Sequence, residues 1–283
     1  MKKIYYITAV FATLFLVGCG DGIDLPGVNV ETDLNKIPLP DNNVNLEQVE
    51  LKPSTEPMLH EGLHTEEDFQ RIRDKKAAGE EPWISAYQLL VESQFSQKTA
   101  DTYPTEWIKR GVSGDENYMN AARGATIVYQ QALRWKIEQD DEYAAKAVEN
   151  LNKWVQTCVG VTGNTNLSLA AGLYGYEFAI AGELLRDYGG WDRADFAAFQ
   201  NWLLKVIYPA NDDFLKRHHD TNALHYWANW CLCNIAAKMA IGIVTDRRDI
   251  YNEGIAHLQT GDTNGRLRLS LIHISEPTRR TPI

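Results

Sequence analysis

From Thr65 to Leu258 the apolar residues recur at intervals of three or four, and no stretch alternates apolar with polar residues at the period of a strand. A chain patterned this way buries its apolar stripes by laying helix against helix. The first helix opens at Thr65-Glu66-Glu67-Asp68, a hydroxyl cap followed by acids in the first turn, with Phe69 and Ile72 as its first apolar positions. Gly79 and Pro82 break the chain before a helix predicted over 83–95. The spacing of Ala121, Ala125, Val128, Ala132 and Trp135 predicts a helix over 117–137, and that of Ala147, Leu151 and Trp154 one over 143–155. Further helices are predicted over 167–186, 193–208, 223–244 and 248–258. The connections are short and rich in Gly, Asp and Asn, which makes successive helices antiparallel neighbours. Small residues crowd segments such as AAGLYGYEFAIAG, so helix axes can approach closely. The expected fold is all-α: stacked antiparallel helix hairpins forming an incomplete α/α toroid, with a bundle or a superhelix as the other arrangements of such pairs.

The N-terminus carries a different signal. MKK precedes an apolar run from Ile4 to Leu16, which leads into Val17-Gly18-Cys19. Residues 1–19 read as a bacterial lipoprotein signal peptide, since the run is too short for a permanent span and ends at small residues before a cysteine. Cys19 is then the lipidated first residue of the mature chain, an anchor to the outer membrane on its periplasmic or cell-surface side. An ordinary secretory signal with a chance cysteine is the alternative. Residues 20–57 hold five of the ten prolines and eight acidic residues against two lysines, as expected of a disordered tether. Residues 58–265 form the helical domain. At the other end, Leu269–Arg279 reads LSLIHISEPTR, the in-frame translation of a transposase adapter used in DNA library preparation. Residues 266–283 are therefore expected to be non-native, and the natural domain to continue past 265.

Composition narrows the partners. The formal net charge of −10 argues against nucleic acid, which demands a basic excess. Cys158, Cys231 and Cys233 remain after the anchor; the last two stand two apart on a predicted helix and face different ways, unlike a chelating pair. Buried small hydrophobes are the expected role, with one disulfide to Cys158 as the alternative.

The densest polar signal is KRHHDTNALHYWANWCLCN, Lys216 to Asn234, with three histidines, two tryptophans and three asparagines at the mouth of a very apolar segment. With a helix starting at Asn222, the side chains of Asn222, His225, Tyr226 and Asn229 share one side. Such a stripe on a buried helix either satisfies internal hydrogen bonds or lines a cavity. Tyr174-Gly175-Tyr176 and His225-Tyr226-Trp227 recur near helix starts, as the sugar-binding mouth of a toroid requires. A zinc site from His218, His219 and His225 is a further alternative, weakened because adjacent histidines rarely aim at one metal.

Four blocks, HEGLHTEEDFQRIRDKKAAGEEPW, ALRWKIEQDDEYAAKAVENLNKW, AGLYGYEFAIAGELLR and FLKRHHDTNALHYWANWCLCNIAA, together resemble the alginate lyase superfamily of polysaccharide lyases, in particular its Bacteroidetes lipoproteins. The likeness spans roughly 58–262. It implies an α/α-toroid catalytic domain that cleaves uronate polysaccharides by β-elimination. Asn222 matches the family's carboxylate-binding asparagine and His225 its histidine, with two residues between them where better-known alginate lyases have the pair adjacent. Tyr226 is the candidate proton donor, and Tyr174, Tyr176, Arg217, His218 and Trp227 are candidate substrate-binding residues. An arginine and a tyrosine that complete such sites often lie further downstream.

The chemistry explains these residue types. Removing the C5 proton of a uronate builds a second negative charge on a group already ionised, so donors aimed at the carboxylate matter most as it becomes enolate-like, at about 3 kcal/mol per good donor. A base takes the proton and an acid protonates the departing glycosidic oxygen. The reading needs no nucleotide, redox or metal cofactor, and its partner is an anionic polysaccharide. Two other functions stay open: a toroid-fold glycoside hydrolase, for which Asp212, Asp213 and Asp220 are the nearby carboxylates, and a non-catalytic surface glycan-binding lipoprotein.

Overall fold

Thr65 caps the first helix as its sequence predicts. Its Oγ1 accepts from the Asp68 amide at 3.1 Å, and the Asp68 carboxylate accepts from the Thr65 amide at 3.0 Å, which satisfies two otherwise orphaned donors. This helix is α1, Glu66–Ala77, in a computed structural model that describes residues 58, 60, 62–226 and 228–261, all within one compact unit. The signal peptide with Cys19, the tether, Trp227 and the tail 266–283 lie outside the described residues. The order continues with α2 (Trp83–Glu92), β1 (Trp107–Arg110), α3 (Tyr118–Glu138), α4 (Asp141–Thr157), β2 (Gly160–Gly163) and α5 (Leu167–Leu185). It closes with α6 (Arg193–Trp202), α7 (Tyr208–Arg217), α8 (Ala228–Val244) and α9 (Arg248–Thr260).

The helices stack as antiparallel hairpins, and specific residue pairs define the directions. Along α3 and α4, Gly124 lies against Trp154, Gln131 meets Asn150 at 3.1 Å, and Arg134 meets Tyr143, so one helix rises as the other descends. The same holds where α5 meets α6 and the turn after it, through Gly182 with Phe199 and Gly175 with Ile207. It holds for α7 on α8, through Asn211 with Asn234, and for α8 on α9, through Met239 with Gly254. In contrast α3, α5 and α8 run parallel: Tyr118 pairs with Tyr174 and Thr126 with Glu177, while Gly172 pairs with Cys233 and Arg186 with the Val244 carbonyl. The α5–α8 contact depends on Gly172, where a Cβ would stand 2.6 Å from the Cys233 sulfur. These three helices thus form an inner row whose N-termini share one end. Around them α4, α6, α7 and α9 form the outer partners.

The apolar centre is aromatic. Phe178 of α5 packs on Trp154 at 5.3 Å and edge-on to Trp202 at 5.4 Å, and all three are buried. A second cluster, Phe214, Leu215, Tyr226, Cys231 and Ile235, fills the space between α7 and the start of α8. Lys238 is fully buried, and its amine bonds Asp212 of α7 at 2.8 Å and Glu253 of α9 at 2.5 Å, tying three helices together. Cys158, Cys231 and Cys233 are free thiols and not members of the alternative disulfide, and burial pushes those of Cys158 and Cys233 up to about 11 and about 12.

Three local expectations are corrected. β1 and β2 form a small parallel ladder, Trp107 opposite Gly160 through Arg110 opposite Gly163, inside an otherwise all-α fold. Gly160 leaves room for the Trp107 ring, which a Cβ there would meet at 2.3 Å. The helix over 193–208 does not stop. Residues 203–207 widen into a π turn and the chain continues as α7, with Pro209 in its first turn, where the missing N–H costs no helical bond. Finally, α8 begins at Ala228 and not at residue 223, so Asn222, His225 and Tyr226 do not form a helical stripe.

Candidate functional site

The reason for the late start of α8 lies in the residues before it. His218, His219 and Asp220 all adopt left-handed backbone, with φ of 47°, 53° and 58°. Three successive non-glycine residues in that region cost about 1–2 kcal/mol each, a concentration of strain characteristic of functional loops. Local bonds hold the turn. The His218 carbonyl accepts from Thr221 Oγ1 at 2.6 Å and from the Thr221 amide at 3.2 Å. Arg217 forks between Asp213 and Asp220, and His219 Nε2 meets the buried Ser168 Oγ of α5 at 2.8 Å. Beyond the turn, Asn222 Oδ1 accepts from the Leu224 amide at 2.9 Å and its carbonyl from the His225 amide at 2.9 Å, a side-chain-stabilised turn in place of a helix.

This loop assembles a chain of rings. Tyr226 is buried against Phe214 at 5.2 Å and Trp230 at 4.7 Å. His225 is exposed and stands edge-on to Tyr226, 5.0 Å away at 85°, while His219 approaches the same ring from another side at 5.7 Å. His218 turns inward, 5.1 Å from Phe214, with Nε2 4.0 Å from the Cys231 sulfur. The three histidines therefore diverge, and among the described residues no His, Cys, Asp or Glu group gathers to hold a metal.

A second element lies at the same end of the inner row. Arg110, at the end of β1, holds its guanidinium 4.7 Å from the Tyr118 ring and 6.0 Å from the Tyr174 ring, and Nη1 donates to Tyr174 Oη at 3.3 Å. The two rings lie 6.4 Å apart and parallel within 4°. An arginine braced by two aromatic faces is a stiff donor fork, suited to a carboxylate. Gly172, between Ser168 and Tyr174 on α5, packs on Cys233 of α8, one turn from Trp230, so α5 links the two elements.

Tyr176 belongs elsewhere. Burial pushes its phenol up to about 12, with a further contribution from the adjacent Glu177. Glu177, on the side of α5 opposite α6, accepts from Thr126 Oγ1 at 3.3 Å; burial pushes its carboxyl up to about 7 against that bond. Tyr129 completes this group and bonds His64 Nε2 at 2.6 Å. The carboxylates around the loop are committed to cations: burial pushes Asp212 up, but Lys216 and Lys238 outweigh it and hold it below the ordinary range, and Arg217 engages Asp213 and Asp220. They offer no free acid and base pair for hydrolysis.

Of the residues expected from sequence, His225 and Tyr226 come into contact, Asn222 shapes their turn, Tyr174 joins Arg110, and Arg217 and His218 support the backbone. Tyr118, Ser168 and the Ser168–His219 bond were not foreseen. No periodic signal links positions 51 residues apart; only the recurrence of polar aromatics at helix starts pointed to this end.

No curated protein and no solved structure matches the chain. Residues 72–268, more than half of its 283 residues, match the family model described as alginate lyase. That match covers α3 through α9, with both halves of the site, and on it the chain belongs to the alginate lyase family.

Proposed function

We propose that this polysaccharide lyase acts on alginate or a related uronate polymer by β-elimination. The observation that carries the reading is the stacked Arg110–Tyr118–Tyr174 fork beside the His219–Tyr226–His225 rings in a member of this family. Arg110 and the Asn222 amide neutralise the uronate carboxylate as C5 loses its proton. His225, exposed and braced by Tyr226, takes that proton; Tyr174 holds the Arg110 fork, and Arg217 and His218 hold the loop in its strained turn. The acid that protonates the departing oxygen is Tyr226 or a residue of the natural continuation, a reading supported by the adapter-like sequence of Leu269–Arg279. Closing the helix hairpins into a toroid belongs to the same proposal, as does export with a lipid anchor at Cys19.

The test is incubation of the protein, with its natural continuation, on polymannuronate and polyguluronate, following ultraviolet absorbance of the unsaturated product. Asn222→Ala and His225→Ala are expected to lower turnover about a hundredfold. Wild-type turnover in both folded variants, or new reducing ends without the unsaturated product, refutes the assignment. The 283-residue chain alone is expected to bind and not to turn over.

A further inference from the structure

We propose that the groove between α3 and residues 94–103 is a second binding site, one that takes an acidic sugar unit of a polysaccharide outside the elimination centre. Its volume is about 300 Å³, at the lower end of the range for small-molecule sites. Gln94, Thr99, Tyr103, Asn120 and Arg123 converge on it, and none of these side chains has a hydrogen bond or ion pair among the described residues. This contrasts with the rest of the surface, where most arginines are engaged by carboxylates or carbonyls. The groups in the same wall that do have partners are spent: Thr102 Oγ1 accepts from the Trp154 indole at 2.6 Å, and the Asp101 carboxylate is held by Lys153 at 2.6 Å and Lys146 at 3.3 Å. Asp101 therefore does not repel an anion from Arg123.

The chemistry of the free groups is that of an anionic carbohydrate. Tyr103 is 74% exposed, so its ring is open to a ligand, and a pyranose presents a suitable apolar face. Arg123 supplies a fork for a carboxylate, and Asn120, Gln94 and Thr99 supply donors and acceptors for hydroxyls. At 100° per residue, Asn120, Gly124 and Ile127 point away from the Tyr118 and Tyr129 side of α3, with Arg123 at the edge of the groove nearest Thr126, so the groove and the seam with α5 occupy different sides of the helix. The ligand class rests on the uronate reading above; the existence of the site does not.

The experiment is calorimetric titration of the 283-residue chain with a hexauronate and with a neutral β-1,4-linked hexaose. Binding of the hexauronate is expected, weakened about tenfold by Arg123→Gln and about fivefold by Tyr103→Ala, with Arg123→Gln also flattening its salt dependence. Arg193→Gln, at an exposed arginine at the start of α6, is expected to leave that binding within about twofold, because it lies outside the groove. Equal affinity in wild type, Arg123→Gln and Tyr103→Ala overturns the proposal, as does absence of hexauronate binding, even when the enzyme with its continuation cleaves polyuronate. Equal, Tyr103-dependent binding of both oligomers retains a sugar groove but overturns its preference for acidic units, and with it this part of the uronate reading.

Discussion

Glu177 provides the sharpest test of how the α3–α5 seam is built. Its carboxyl faces Thr126, Tyr129 and Tyr176, with no cation in contact among the described residues, and burial raises it from the ordinary 4.5 to about 7. The folded chain therefore keeps a proton that the unfolded chain releases between those values. Stability that depends on this proton is complete below pH 4.5, falls as pH rises toward 7, and is lost above it. At about 1.4 kcal/mol per pH unit the full interval corresponds to about 3 kcal/mol, and the residual solvent contact of Glu177 reduces this to about 2 kcal/mol. Glu177→Gln keeps the shape and the hydrogen bond from Thr126 but cannot ionise. Urea unfolding followed by tryptophan fluorescence, from pH 4.5 to 8, should show the variant close to wild type at the acid end and more stable by about 2 kcal/mol at the alkaline end. Other groups titrate in the same range. His64 and His257 are held below their ordinary value by burial, His257 to about 4, and their contribution is present above pH 6.5 and lost as pH falls. Both are common to the two proteins, so the difference between the curves isolates Glu177. A difference that does not vary with pH, or one that favours wild type at pH 8, refutes the placement of this carboxyl in an apolar seam.

Lys238→Ala should cost about 3–5 kcal/mol in chemical unfolding, because Asp212 and Glu253 are left facing each other without their shared cation; Lys238→Met with Asp212→Asn and Glu253→Gln should recover most of it. Gly172→Ala should destabilise by about 1–3 kcal/mol through its clash with the Cys233 sulfur, and Cys233→Ala should relieve that loss in the double variant; strictly additive losses refute the contact. Asp220→Gly should be neutral or stabilising by up to about 1 kcal/mol, since its left-handed backbone suits glycine and its ion pair with Arg217 is exposed, whereas Asp220→Val should destabilise.

Much of the fold was legible because helix periodicity is a local property. The apolar positions of α3, α4, α5 and α9 repeat within one element, and their boundaries follow the pattern closely. The ladder of β1 and β2 was not legible: each strand is four residues long, and its pairing depends on a glycine 53 residues away from the tryptophan that covers it. The continuation of α6 into α7 was hidden for a related reason. Tyr208-Pro209 reads as a helix end, yet a π turn before the proline lets the chain re-enter a helix with proline in its first turn.

The site shows where sequence spacing misleads and where it does not. Asn222, His225 and Tyr226 have helical spacing, but that spacing has meaning only if the backbone is helical, and the left-handed turn at His218–Asp220 prevents it. Nothing in His-His-Asp announces such a turn, because glycine is absent; it is held by tertiary partners, above all Ser168 on another helix. What did carry over is the position of polar aromatics at helix starts. In a row of parallel helices every N-terminus lies at the same end, where Tyr118 stacks on Tyr174, Ser168 bonds His219 and Trp230 packs on Tyr226. The short ladder adds Arg110 to that end, and the strained turn adds His219 and His225. The candidate site is therefore marked by which end of the stack a residue occupies rather than by which face of a helix it shares.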